Sequence, residues 1–408
     1  MRSPSGRCWC LARLGDKYGP RRLFLVGLAG FALASLACAL SVAPAMIVIA
    51  RVVQGTFGAL LIPQGFSLLL RAFPRAELGR VFGLFGPLMA VSSISGPVLA
   101  GFLLWLDPFG LGWRAVFLIN VALGVVLYPL SARVLPRAGG DRSVRLDPVA
   151  AMLLITGLAA ALGGLIMAGQ HEHGWPPAAA IVAGLAVTIL FAARQRRSPA
   201  PFLTPSLFRV RSFVAGLAVG LVFFAAVAGL LYATSLYLQF GRGLGPLPTA
   251  GLMAPLSIGI IAASFSARGL VERLGRRMVA LGLVVMGAGT LGYLTVILLA
   301  PGATWALLLP LLGCGLGMGA CFGSVFAVAL GNVRPDQVGS ASGTLNAVQQ
   351  IASAAGAALI SAVYLTVAAT RTGRDAVAAS LVVVLVITAL SVAALPLLPR
   401  RAAADTYH

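Results

Sequence analysis

Arg51 is the one base inside an apolar run, and Gln54 and Gly55 follow it one helical turn on, on the same face. A charge in a membrane interior costs at least about 2.5–3.5 kcal/mol on insertion scales. Such an arginine either faces protein and works there, or snorkels toward the interface. Other polar residues in apolar runs are Gln64, Asn120, Thr234, Ser235, Gln239, Asn346, Gln349 and Gln350. Each can line a cavity or make an interhelical hydrogen bond of about 0.6 kcal/mol; Asn120, Gln239, Asn346 and Gln350 are the candidates for a cavity. Phe223, Phe224, Tyr232 and Tyr237 can hold an apolar or cationic molecule, or face lipid.

The remaining reactive groups offer little chemistry. The ten acids are Asp16, Glu77, Asp107, Asp141, Asp147, Glu172, Glu272, Asp336, Asp375 and Asp405, all in loops, tails or span ends. None is a mid-membrane carboxylate of the kind that takes and releases protons. Cys8 and Cys10 form a lone C-x-C, and His171 and His173 share one polar loop, so neither pattern makes a metal site. Cys38, Cys314 and Cys321 lie in apolar runs as packing residues. No metal, no cofactor and no enzymatic activity are expected.

The elements that must carry these residues follow from composition. Of 408 residues, 59% are apolar and 10% charged, against about 25% charged in an ordinary soluble protein; mean hydropathy is +0.98. A water-soluble globule cannot cover so much apolar surface with so few charges. The expectation is an all-α polytopic membrane protein. Runs long enough to cross about 30 Å of hydrocarbon lie at about 22–43, 45–70, 80–106, 114–134, 148–169, 177–194, 212–239, 248–267, 277–300, 303–331, 338–368 and 376–398, about twelve spans. No cleavable signal peptide is evident.

The formal charge of +20 does not point to nucleic acid, because the bases cluster in short loops between apolar runs. Alternate loops hold 25 of the 30 bases; the loops between them hold Arg114, Arg242, Arg371 and Arg374. The positive-inside rule then places both termini in the cytoplasm and the basic loops against anionic lipid.

Two basic loops resemble each other. Asp16, Gly19 and Arg21 in LGDKYGPRR match Glu272, Gly275 and Arg277 in LVERLGRR at an offset of 256. Six spans belong to the half containing the second loop and four to the half containing the first, with two between. The expected organisation is an N-terminal segment 1–21, a four-span bundle 22–137, a linking helix pair 138–200, a six-span bundle 201–399 and a tail 400–408. Parallel repeats of six helices about a central site are a transporter plan, so the count implies a chain lacking two first helices.

These residues resemble the fourteen-helix drug:proton antiporter (EmrB/QacA-type) branch of the major facilitator superfamily, over nearly the whole chain. Leu14 to Arg22 is similar to its G-x-L-A-D-R-x-G-R-R loop, with Pro20 where a base is usual. Arg51 to Gly55 resembles R-x-x-Q-G. Gly96, Pro97 and Gly101 resemble the antiporter signature G-P-x-x-G-G, with Ala100 for one Gly. Trp113 to Asn120 resembles W-R-x-x-F-x-x-N, and Asn346 to Gln350 resembles N-x-x-R-Q, with Gln349 for Arg.

The resemblance implies a major facilitator fold of two pseudo-symmetric bundles with a linking helix pair. It implies a monomer in the cell membrane exporting small amphipathic compounds, drugs or antibiotics, against protons. In that reading Arg51 serves proton coupling, the acid-Gly-Arg loops latch the halves, and Gly96–Gly101 bends its helix. The plainer readings are a snorkelling base, solvated loops and ordinary helix packing. An uptake carrier for a polar nutrient and a truncated, non-transporting remnant are the alternatives. The family commonly places its coupling acid in the first helix, so the resemblance leaves the activity of the chain in question.

Overall fold

The computed structural model describes residues 18–72, 96, 99–107, 110–136, 148–169, 175–197, 205–300, 302–331, 333 and 338–398. Among them there are helices and no strands. The α-helices are α1 (Pro20–Ala39), α2 (Pro44–Ala72), α3 (Ala115–Val134), α4 (Pro148–Gly169), α5 (Trp175–Arg197), α6 (Arg211–Leu236), α7 (Pro246–Leu274), α8 (Arg276–Leu299), α9 (Leu308–Leu330), α10 (Val338–Ala368) and α11 (Gly373–Ala394). Residues 99–106 are also helical. Each of these helices falls on an expected span; most limits agree to within a few residues, while α7 runs seven residues past the expected 267 and α9 starts five residues after the expected 303, behind the 3-10 turn Thr304–Leu307. Among the described residues, ten stretches are long and apolar enough to cross a membrane, and α4 contributes a shorter apolar stretch, Met152–Gly164. Most of the expected span 80–106 lies outside the described residues.

The helix ends follow from local chemistry. Pro20 opens α1, where its missing N–H costs nothing. Gly19 and Gly275 immediately precede α1 and α8 with φ of 92° and 50°, a backbone region that favours glycine. Thr372 caps α11, exchanging hydrogen bonds with Asp375 in a capping box. At its far end α6 runs on into a π-helical turn, Tyr237–Gly241. There the Arg242 N–H reaches back to the Tyr237 carbonyl at 2.8 Å, and Tyr364 Oη donates to the Leu236 carbonyl at 3.4 Å.

The described helices form two compact units, α1 to α3 with 99–106, and α4 to α11. In the first, α1 packs on α2 and α3. In the second, α6 packs on α10 and α11, and α9 on α7 and α8. The pair α4–α5, expected between the halves, forms a hairpin whose α4 lies against α10, so it clusters with the second unit. With no hydrophobic drive between helices in lipid, close approach comes from small residues. A Cβ on Gly315 of α9 would lie 1.9 Å from the Leu256 carbonyl oxygen of α7. A Cβ on Gly184 of α5 would lie 2.3 Å from the Ala161 nitrogen of α4. The largest core cluster joins α6 to α11 through side chains such as Phe223, Leu283, Met318 and Val384.

Candidate functional site

Arg51 lies seven residues into α2, about 10 Å along its axis from Pro44. Its guanidinium donates to Gln54 Oε1 at 3.0 Å and sits 4.6 Å from the centroid of the Phe117 ring of α3. Gln54 Nε2 donates to Ser35 Oγ of α1 at 2.6 Å, and Ser35 Oγ donates to the Phe31 carbonyl at 2.7 Å. Gln54 and Ser35 are buried, and Arg51 is exposed. The hydrogen bonds run in one direction, from a fixed positive charge to a backbone carbonyl, and tie α2 to α1 while the ring contact ties it to α3. No carboxylate bridges Arg51 among the described residues. Gly55, next on the same face, is open: a Cβ there would meet nothing within 4 Å.

The same ring continues the network. Trp113 meets Phe117 edge-on at 6.0 Å, and the Arg114 guanidinium lies 4.6 Å over Trp113. Arg114 also donates to the Ser41 carbonyl, just past the end of α1, at 3.0 Å. Five residues of two separate motifs are thereby joined: Arg51, Gln54, Phe117, Trp113 and Arg114. Asn120, from the second motif, lies partly buried on α3, one turn beyond Phe117.

The basic loops do something the sequence did not show. Arg21, at the start of α1, donates to the Ala132 carbonyl near the end of α3. Arg276, at the start of α8, donates to the Leu398 carbonyl just past the end of α11 at 3.3 Å. The residue making this contact is Arg276; Arg277, the expected counterpart of Arg21, is exposed. At the opposite ends, Arg114 holds Ser41, and Arg374, at the start of α11, donates to the Leu298 carbonyl at the end of α8. Each unit thus has an antiparallel helix pair fastened at both ends by an arginine at or just before a helix start: Arg21 and Arg374 reach carbonyls in the partner's last turn, and Arg114 and Arg276 reach carbonyls two and four residues past the partner's end. Carbonyls at a helix C-terminus carry partial negative charge and lack intrahelical partners. A signal was present in the sequence, since Arg114 and Arg374 break the loop-charge rule. Asp16 lies outside the described residues, as does the side chain of Glu272.

Of the antiporter signature, Pro97 lies outside the described residues. Gly101 is buried in the helix 99–106, and a Cβ on the exposed Gly96 would meet nothing within 4 Å. The cavity candidates of the second unit do not converge. Gln239 is exposed in the π turn and donates to Ser235 Oγ at 2.7 Å. Gln350 is exposed and Asn346 partly buried, both toward the start of α10. Tyr364 marks the level of the α6 terminus, so Gln350 lies 14 residues away, about 20 Å along the axis.

Among the aromatic candidates, Phe223, Phe224 and Tyr237 are core residues, 0–3% exposed, and Thr234 turns its hydroxyl to the Leu230 carbonyl. They close the bundle and have no surface to offer a ligand, whereas Tyr232 is 41% exposed. No cluster of three metal-ligating side chains occurs among the described residues.

Comparison with known proteins agrees with this architecture. The family model described as Major Facilitator Superfamily matches residues 10–357. The chain is 39% identical over 361 residues to a probable actinorhodin transporter of Streptomyces coelicolor, covering 86% of this chain and 62% of that protein. It is 31% identical to the tetracenomycin C resistance and export protein of Streptomyces glaucescens, covering 85% of this chain and 64% of that one. It is 31% identical to the multidrug resistance protein Stp of Mycobacterium tuberculosis, covering 86% and 65%. The chain spans about three fifths of the length of these curated relatives. Among solved structures, a peptide transporter POT in complex with sulfate aligns with a TM-score of 0.64 at 17% identity, covering 95% of this chain and 84% of that one. The human organic anion transporter MFSD10 aligns with a TM-score of 0.58 at 18% identity, covering 95% and 79%. With a family model spanning most of the chain and a matching helical fold, the protein belongs to the Major Facilitator Superfamily.

Proposed function

We propose that the chain belongs to a membrane transporter that exports small amphipathic compounds, drugs or antibiotics, in exchange for protons, on the plan of the fourteen-helix antiporter branch. The observation that carries this reading is Arg51, a permanent charge in an apolar helix, set on Phe117 and wired through Gln54 to Ser35. A fixed cation so placed holds an anion and favours the charged form of any acid brought near it, so Arg51 can set the protonation of a group that titrates although it does not titrate itself. The relatives, among them a resistance and export protein and a multidrug resistance protein, support export over uptake.

The rest of the proposal follows the charge pattern and the motifs. The protein sits in the cell membrane as a monomer with both termini cytoplasmic. Residues 22–137 form one bundle, 138–200 the linking pair and 201–399 the other bundle. The acid-Gly-Arg loops, Asp16–Arg21 and Glu272–Arg277, act at the cytoplasmic face, and Gly96, Pro97 and Gly101 shape the helix between α2 and α3. Asn120, Gln239, Asn346 and Gln350 offer polar contacts at different depths along a path.

The test is efflux from cells or reconstituted vesicles under an imposed pH gradient. Collapse of the gradient with a protonophore should stop export by the wild-type chain, and Arg51→Ala should abolish export without reducing the amount of folded protein. Export that ignores the gradient sinks the proton-coupled reading.

A further inference from the structure

Gln54 carries an amide with two unlike ends, and Arg51 can use only one of them. A guanidinium donates and never accepts, so it needs the amide oxygen. Turned the other way, Gln54 would set its NH2 against Arg51, donor against donor. The far end of the amide decides the matter. Gln54 is 4% exposed, and its Nε2 lies 2.6 Å from Ser35 Oγ of α1, a residue with no exposure at all. A serine hydroxyl has one proton. Here it goes to the Phe31 carbonyl, four residues back, at 2.7 Å. Oγ is left with lone pairs alone, so it accepts from Nε2, and Oε1 faces Arg51 at 3.0 Å. Close packing of α1 on α2 puts so short a side chain within reach: a Cβ on Gly27 would lie 3.2 Å from the Phe57 carbonyl oxygen. The guanidinium also lies 4.6 Å from the Phe117 ring centroid, so contacts from two helices locate it on a third.

We propose that Ser35 is the positioning residue of Arg51: its hydroxyl, committed to Phe31, fixes which way the Gln54 amide turns, and the amide fixes where the guanidinium stands. This rests on the coupling reading and adds to it the residue that places the charge. Place matters because a cation favours the ionised form of an acid within about 4–6 Å and loses that influence as it moves away. Ser35→Ala removes the acceptor, leaves the amide free to turn and releases one hold on Arg51. Alanine suits a helix interior, so α1 itself is kept.

The experiment follows Arg51 in the purified full chain in lipid nanodiscs through its reaction with phenylglyoxal, a guanidine-directed reagent, read from the mass of the peptide that carries it. Arg51 is exposed and so within reach of the reagent. Ser35→Ala should raise the rate about two- to tenfold, the worth of one hydrogen bond. Gln54→Met, which keeps an unbranched side chain and removes the amide, should raise it as much, and adding Ser35→Ala to it should change nothing further. An unchanged rate in Ser35→Ala, or a full further increase in the double variant, overturns the proposal, since Ser35 would then not act through Gln54. In vesicles, Ser35→Ala should move the pH midpoint of gradient-driven efflux upward, the direction in which an acid's titration goes when a cation leaves it. A faster reaction with an unmoved midpoint keeps Ser35 as the positioning residue and sinks the coupling role of Arg51 instead.

Discussion

The guanidinium of Arg51 rests 4.6 Å above the ring of Phe117, and this single contact joins the R-x-x-Q-G and W-R-x-x-F-x-x-N motifs. A cation over an aromatic face gains about 0.5–1 kcal/mol when exposed and about 2 or more when desolvated. Phe117 also supports Trp113, on which Arg114 lies. Phe117→Leu should therefore weaken gradient-driven efflux several-fold while costing about 1 kcal/mol in stability, and Phe117→Tyr should retain efflux. Arg51→Lys should keep part of the coupling, because the charge remains while the planar fork is lost. Efflux and its pH dependence are the measurements, and full coupling in Phe117→Leu would separate the ring from the function of Arg51.

The arginine clasps give a second prediction. Arg276→Gln removes a charged donor from the Leu398 carbonyl, past the short 3-10 turn that follows α11, and Arg21→Gln removes one from the Ala132 carbonyl in the last turn of α3. A charged donor at a helix C-terminus contributes about 0.3–1 kcal/mol, up to about 2 when partly buried. Each change should lower the unfolding free energy in micelles by about 1 kcal/mol. The two should add to within about 0.5 kcal/mol, since they lie in different compact units. Strong non-additivity in the double variant would mean that the two ends are coupled through the rest of the molecule.

Much of this architecture was legible in apolar run length, because crossing hydrocarbon leaves a chain few options. The limits of 148–169 and 338–368 coincide with α4 and α10. Gly19 and Gly275 were identifiable because a tight turn before a helix demands positive φ. What could not be read was which side of each helix faces its neighbours. Apolar composition all round α6 gives no face, so Phe223 and Phe224 passed as possible ligand contacts although packing with α9 buries both. The partner of Arg21 was equally hidden, since a backbone carbonyl 111 residues away leaves no mark in a sequence. Arg276 displaced Arg277 for a related reason: a one-residue shift at a helix start rotates a side chain by about 100°.

Two glycines test packing against function. Gly315 is pressed on the α7 backbone, so Gly315→Ala forces a Cβ to within 1.9 Å of the Leu256 carbonyl oxygen. Helices that cannot shift apart lose their mutual contacts, and the variant should unfold several degrees below the wild type or fail to accumulate. Gly55→Ala meets nothing within 4 Å and should leave the unfolding temperature unchanged. Lost efflux in Gly55→Ala at unchanged stability would place Gly55 with Arg51 in the coupling machinery; lost stability would show that Gly55 packs against something after all.

Topology is the last prediction, and the arginines that break the charge rule sharpen it. Of the four bases in the intervening loops, Arg114, Arg242 and Arg374 are tied to Ser41, Thr304 and Leu298. They serve as helix-end and loop fastenings, so they need not orient the chain, and the remaining loops carry the topogenic signal. Reporters fused after Arg137, Arg197 or Arg273 should read cytoplasmic, and those placed near Glu172 or Ala303 external. Arg114→Gln and Arg374→Gln should weaken stability without inverting any reporter. Two or more reversed fusions would break the proposed orientation, and an inversion caused by Arg114→Gln would return that residue to the role of a topology charge.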